Sequence, residues 1–91
     1  MAIPILMDFY ADWCGPCRTQ GPILEEIKAA FDGRALIKKI DVDNEGELAS
    51  KYGIFVVPTL ILEKDGAELG RWMGVTSKEE LAEALDAALK A

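Results

Sequence analysis

Residues 8 to 18 read Asp8-Phe9-Tyr10-Ala11-Asp12-Trp13-Cys14-Gly15-Pro16-Cys17-Arg18. Upstream of them Ile3 to Tyr10 is almost continuously apolar, as in a strand buried on both faces of a sheet, and the flanking Pro4 and the aromatic end favour strand over a short buried helix. Downstream, Ile23, Leu24, Ile27, Ala30 and Phe31 recur at helical spacing until Asp32-Gly33 supplies a stop. The segment is therefore the joint between a buried strand and a helix over Cys14 to Phe31, with both cysteines in the first turn. Pro22 removes a backbone donor inside that helix and predicts a kink near Gly21-Pro22.

The rest of the chain extends this start into an α/β pattern. Ala35 to Val42 reads as a second strand, Asp43-Asn44 as a turn and cap, and Glu47, Leu48, Ala49 and Tyr52 as a short helix. A strand, a helix and a strand in that order make a crossover unit, so the first two strands should be parallel. Thr59 to Glu63 and Glu68 to Met73 are short strands joined by Lys64-Asp65-Gly66-Ala67, whose Asp-Gly pair is a hairpin signal, so these two should be antiparallel. Ser77 with Glu80 three residues on forms a capping box, and Leu81, Leu85, Ala88 and Leu89 make the buried stripe of a last helix. The expected fold is a mixed sheet of about four strands with helices on its faces.

Ninety-one residues, 51% of them hydrophobic, suffice for one core, so residues 1–91 are read as one domain. A charged fraction of 29% without repetitive or Ser/Gly/Pro-rich tracts speaks against a disordered chain or a linker. The net charge of -6 is scattered rather than gathered in a tail, and it lacks the basic surface that nucleic acid requires. The leading apolar run carries no basic residue and is cut by Asp8 well short of a membrane span or signal core, which predicts a cytoplasmic protein without membrane contact. Two cysteines in such a compartment point to a reactive or metal site more than to a structural staple.

Disulfide exchange needs a thiolate, and an unperturbed thiol with a pKa near about 8.5 is mostly protonated at neutral pH. At the start of a helix Cys14 faces unpaired amide N–H groups and the positive end of the helix dipole, which lower its pKa. A spacing of three puts Cys17 on the same helical face, one turn deeper and less exposed, so attack belongs to Cys14 and resolution to Cys17. Pro16 sits where N–H groups have no partner within the helix, and Gly15 lets a substrate backbone approach. A zinc site is the rival for such a pair, but with no His and no third Cys it would require carboxylates or a second chain. Asp8 is either a solvated strand-end carboxylate or, with Phe9 and Tyr10 still in the strand pattern, a partly buried one of raised pKa that exchanges a proton with Cys17 directly or through water.

The segment Asp8 to Arg18 resembles the active-site segment of the thioredoxin family. The resemblance continues through Pro22, Asp41-Val42-Asp43, Lys51-Tyr52-Gly53-Ile54, Val57-Pro58-Thr59 and Lys64-Asp65-Gly66 to Gly74 and Ser77, over essentially the whole chain. It implies a three-layer α/β sandwich and a protein-disulfide reductase whose only redox group is the Cys14–Cys17 pair, with no further cofactor. It implies disulfide-containing protein substrates and an electron donor of the thioredoxin-reductase type. By the same resemblance Pro58 is a cis-proline opposite the cysteines, with the Val57 backbone pairing to an extended substrate, and Lys39 is the lysine near a buried Asp8. Trp13, Gly15, Pro16, Val57, Pro58, Gly74 and Val75 would then form an apolar docking surface. Read without the family, Pro58 is a strand-start proline and Lys39 a solvated strand lysine, with Lys38 its adjacent competitor.

Four departures accompany the resemblance. Family members usually carry a further strand and helix ahead of the segment that begins at Ile3. Lys38, on the face opposite Lys39, and Glu63 stand where the family has apolar or aromatic residues, and both read as adaptations to a more exposed sheet face. Tyr10 stands where a tryptophan is frequent. Gly-Pro between the cysteines resembles the reducing members of the superfamily, whereas oxidants and isomerases usually place His there. The alternatives are an isomerase or oxidase using the same thiols, and a binding module that docks partners through Trp13 and Pro58 without turnover.

Overall fold

In a computed structural model describing residues 2–91, β1 (Ile5–Tyr10) leads into α1 (Gly15–Ala30), and the chain returns through β2 (Leu36–Asp41). α2 (Gly46–Lys51), the hairpin β3 (Thr59–Lys64) and β4 (Ala67–Met73), and α3 (Lys78–Lys90) complete it. The sheet order is β2-β1-β3-β4. β1 and β2 are parallel, while β3 is antiparallel to both β1 and β4. The expected four-stranded mixed sheet is present. The first strand starts at Ile5 rather than Ile3: Ile3 is exposed, and Pro4, whose carbonyl accepts the Leu36 amide at 2.9 Å, has no N–H to carry the ladder further back.

Alternation along β1 divides the core into two faces. Leu6 packs with Leu24, Ile27 and Phe31 of the α1 segment, with Leu60 and Leu62, and with Leu81, Leu85 and Ala88 of α3. Met7 and Phe9 point the other way, onto Ile40 and Ile61, with Leu48, Tyr52 and Ile54 against them. Among the described residues that second face is covered by the short helix α2 and its flanks. A cavity of about 430 Å³ opens there, lined by Ile5, Met7, Lys38, Ile40, Tyr52 and Glu63 among others. Lys38 is exposed and Glu63 half-buried, its carboxylate accepting the Tyr52 hydroxyl at 2.8 Å, so the expected openness of this face holds.

Local signals close the elements as their chemistry dictates. Asp65 and Gly66 both adopt positive φ, 54° and 80°, which the two-residue turn between β3 and β4 requires. Ser77 Oγ accepts the Glu80 amide at 3.1 Å and caps α3. At the far end of α3 the Lys64 ammonium donates to the Ala88 and Ala91 carbonyls, at 2.8 and 3.1 Å, where the helix dipole is negative. One expectation needs correction. Asp43-Asn44 forms the turn but does not cap α2: Asp41 accepts the Asp43 amide and the Asn44 side-chain amide, the Asp43 carboxylate accepts the Trp13 indole N–H, and Glu45 holds the cap position without a side-chain bond. α1 runs continuously past Pro22 from Gly15 to Ala30.

Candidate active site

Cys14 is the N-cap residue of α1, its backbone extended at φ -89° and ψ 113°. Its Sγ accepts the Cys17 amide at 3.2 Å, so the sulfur occupies the position a capping hydroxyl or carboxylate would take. Pro16 has no N–H to offer, which leaves the Cys17 amide as the aligned donor at the third position of the turn. An anion on Cys14 therefore gains a hydrogen bond and the positive end of a 16-residue helix. Cys14 and Cys17 are joined as a disulfide with Cα atoms 5.3 Å apart. The expected difference in exposure is absent, since Cys14 is 4% and Cys17 6% exposed and both pack against Ala11 and Val57. What separates the two sulfurs is the amide aimed at Cys14, not their burial.

The other wall of the site is the segment before β3. The Val57–Pro58 peptide bond is cis, and the Val57 carbonyl oxygen lies 3.6 Å from Cys14 Sγ. The Pro58 carbonyl accepts the Gly74 amide at 2.8 Å, and Gly74 has φ 90°, a conformation that residues with a Cβ rarely adopt. This brings Gly74 and Val75 beside Pro58. Gln20 is fully buried on α1, one turn beyond Cys17. Its side chain donates to the Thr76 carbonyl at 3.0 Å and accepts the Thr76 amide at 2.7 Å, tying the Gly74–Thr76 loop to the cysteine helix. Gln20→Ala would strand both Thr76 backbone groups in a dry site, at an expected loss of about 2–4 kcal/mol in folding stability. Urea denaturation of the oxidised chain measures it, and a loss within experimental error would show the clamp to be idle.

Asp8 is fully buried on the central strand, and neither carboxylate oxygen has a hydrogen-bond partner. Desolvation raises its pKa from 3.8 to about 6, opposed by the positive charge of Lys39. Lys39 is the direct neighbour of Asp8 in the parallel ladder and so shares its face of the sheet, while Lys38 pairs with Met7 on the open face. Lys39 is exposed, with its ammonium 4.5 Å from the Tyr10 ring centroid. A crevice of about 300 Å³ is lined by Tyr10, Ala11, Asp12, Cys17, Gly21 and Lys39.

Around the sulfurs the surface is apolar and open. Trp13 is 70% exposed, with its indole N–H donating to the Asp43 carboxylate at 3.0 Å, and Gly15, Pro16 and Val75 are exposed as well. Pro58 itself is buried, so its contribution to the surface is to shape the Val57 backbone. Gln20, Phe55 and Val56 belong to this region and were not singled out by sequence reasoning. The Ile54-Phe55-Val56-Val57 run before a proline was a visible signal for the latter two, and nothing in the sequence signalled the Gln20–Thr76 pairing.

A family model described as Thioredoxin matches residues 1–87. The chain is 48% identical to a thioredoxin of Staphylococcus aureus over 81 residues, 89% of this chain and 78% of that protein. Among solved structures it is similar to a mutant thioredoxin from Halobacterium salinarum, with a TM-score of 0.87 and 39% identity over 97% of this chain and 76% of that one. It is also similar to the germline-specific thioredoxin Deadhead of Drosophila melanogaster, with a TM-score of 0.86 and 28% identity over 93% of this chain and 80% of that one.

Proposed function

The chain belongs to the thioredoxin family and is a thiol-disulfide oxidoreductase that reduces protein disulfides, and from that premise we propose that Cys14 attacks and Cys17 resolves. The observation that carries the assignment is the Cys17 amide directed at Cys14 Sγ from the first turn of α1. In the dithiol form the Cys14 thiolate attacks one sulfur of a substrate disulfide. A Cys14–substrate bond forms, the substrate S–S bond breaks, and the released substrate thiolate takes a proton. Cys17 then loses its proton and attacks Cys14 Sγ, expelling the second substrate thiolate and leaving the Cys14–Cys17 disulfide. Two electrons pass to the substrate, and an external dithiol donor of the thioredoxin-reductase type returns them.

Asp8 is the proposed acceptor of the Cys17 proton, with Lys39 biasing it from the same sheet face. Support comes from the pKa of about 6 and from two carboxylate oxygens that no other group occupies. Trp13, Gly15, Pro16, Val57, Pro58, Gly74 and Val75 form the docking surface, with the Val57 backbone beside Cys14 as the edge for an extended substrate segment. We place the protein in the cytoplasm as one working domain over residues 1–91, needing no group beyond its own disulfide. Among the described residues no helix is long and apolar enough to cross a membrane, and no cluster of three potential metal ligands occurs.

Timed alkylation of the reduced protein across pH tests the assignment. Cys14 is expected to be modified first, with a midpoint below pH 8, and prior modification of Cys17 would reverse the roles. The same sample gives the direction of electron flow. A reduction potential at or below about -220 mV fits a reductase, whereas one near about -120 mV would make the chain an oxidant.

A further inference from the structure

A circuit of contacts joins the cysteine helix to the cis-proline wall and back again. Gln20 on α1 holds both backbone polar groups of Thr76, and the Thr76 hydroxyl donates to the Gly74 carbonyl at 3.1 Å. The Gly74 amide donates to the Pro58 carbonyl at 2.8 Å, and the adjoining Val57 carbonyl lies 3.6 Å from Cys14 Sγ. Cys14 caps the same helix that carries Gln20, so the circuit closes. Gly74 and Thr76 are thus pinned to opposite walls of the site, and Val75 stands between them, 47% exposed. The reach of the side chain at position 20 sets where Val75 sits over the cysteines.

Packing alone does not call for a glutamine here. Gln20 is fully buried, and an apolar side chain would fill the same space without the cost of desolvating an amide. What the amide adds is a donor and an acceptor on one planar group, matched to the N–H and C=O of a single residue. We propose that Gln20 is a positioning residue: by pinning Thr76 to α1 it fixes Gly74 and Val75 relative to the Cys14 sulfur, so that reduction of disulfides carried on a polypeptide depends on it and reduction of small disulfides does not. This role rests on the reductase reading and adds to it the residue that favours polypeptide over small disulfides. A polypeptide rests on the loop, whereas a small disulfide meets only the sulfur. The Cys17 amide that serves Cys14 lies in the first turn of α1, so loss of the clamp leaves the nucleophile's own hydrogen bond in place.

Single-turnover rates of the reduced protein with insulin and with bis(2-hydroxyethyl) disulfide test the role. Gln20→Met has a side chain of similar size with neither donor nor acceptor for the Thr76 backbone. Its insulin-to-small-disulfide ratio of second-order rate constants is expected to fall about tenfold, through a higher half-saturating insulin concentration, with the small-disulfide rate within about twofold of wild type. Both rates come from one preparation, so an unfolded fraction cancels. Gln20→Asn keeps the amide one methylene shorter, so either the loop is drawn toward α1 or a bond is lost, and its ratio is expected to fall about threefold. That variant decides the outcome where Gln20→Met is too unstable to assay. An unchanged ratio, whether both rates hold or both fall equally, overturns the positioning role while the reductase reading stands. Failure of the wild type to reduce either disulfide overturns both.

Discussion

Replacing Cys14 by serine is expected to bring protein-disulfide reduction down to the uncatalysed rate, while replacing Cys17 by serine leaves one stoichiometric event per molecule. The asymmetry follows from which sulfur the helix start serves. A serine at position 14 can still cap α1 and accept the Cys17 amide, so the fold survives, but its hydroxyl does not ionise near neutrality and is no nucleophile for a disulfide. In the Cys17→Ser variant the Cys14 thiolate still forms its bond to substrate and nothing follows to break it, so a mixed disulfide accumulates that only added thiol releases. Mass spectrometry of the two variants after mixing with a disulfide protein reads the result. An adduct on the Cys14→Ser protein, or steady turnover by Cys17→Ser, would show the roles to be otherwise. A binding module would give the same association for both variants and adducts with neither.

Reading the sequence succeeded where the deciding interactions are short in range. The strand-to-helix joint at Asp12-Trp13-Cys14, the Asp65-Gly66 turn and the Ser77 cap each depend on residues within four positions of one another, and all are in place. The cap of α2 lies one residue further on, at Glu45, and the Asp43 carboxylate is taken instead by the indole of Trp13, 30 residues away. Register resolved what alternation left open: Lys39, not Lys38, is the lysine opposite Asp8, since side chains paired across a parallel ladder share a face. Gln20 was illegible because its partner Thr76 is 56 residues away and is a backbone group, which leaves no trace in residue type. Phe55 was passed over because an apolar residue in an apolar run reads as core, and only the tertiary structure turns it outward.

Asp8 carries the remaining large expectation, and it joins stability to mechanism. With a pKa raised from 3.8 to about 6, the folded chain binds this proton more tightly than the unfolded chain does. Between those values the native state holds a proton that the unfolded state has lost, so stability falls as pH rises through the window and the loss is complete above about pH 6. Two pH units correspond to about 3 kcal/mol at neutral pH and above. Asp8→Asn removes the titration but buries an amide without partners, so the variant is expected to be more stable than the wild type by about 1–3 kcal/mol at pH 8, with the difference nearly gone at pH 4. Urea titrations of the oxidised proteins at the two pH values measure this, and a gain independent of pH would mean that Asp8 titrates normally. The proposed proton transfer from Cys17 is what would account for a destabilising carboxylate in the centre of the sheet. In the same variant, release of substrate from the mixed disulfide should slow by about 10²-fold and lose its inflection near pH 6, while formation of the mixed disulfide by Cys14 keeps its rate. If instead the first step slows and the second does not, Asp8 acts on the attacking sulfur and the proton path assigned here is reversed.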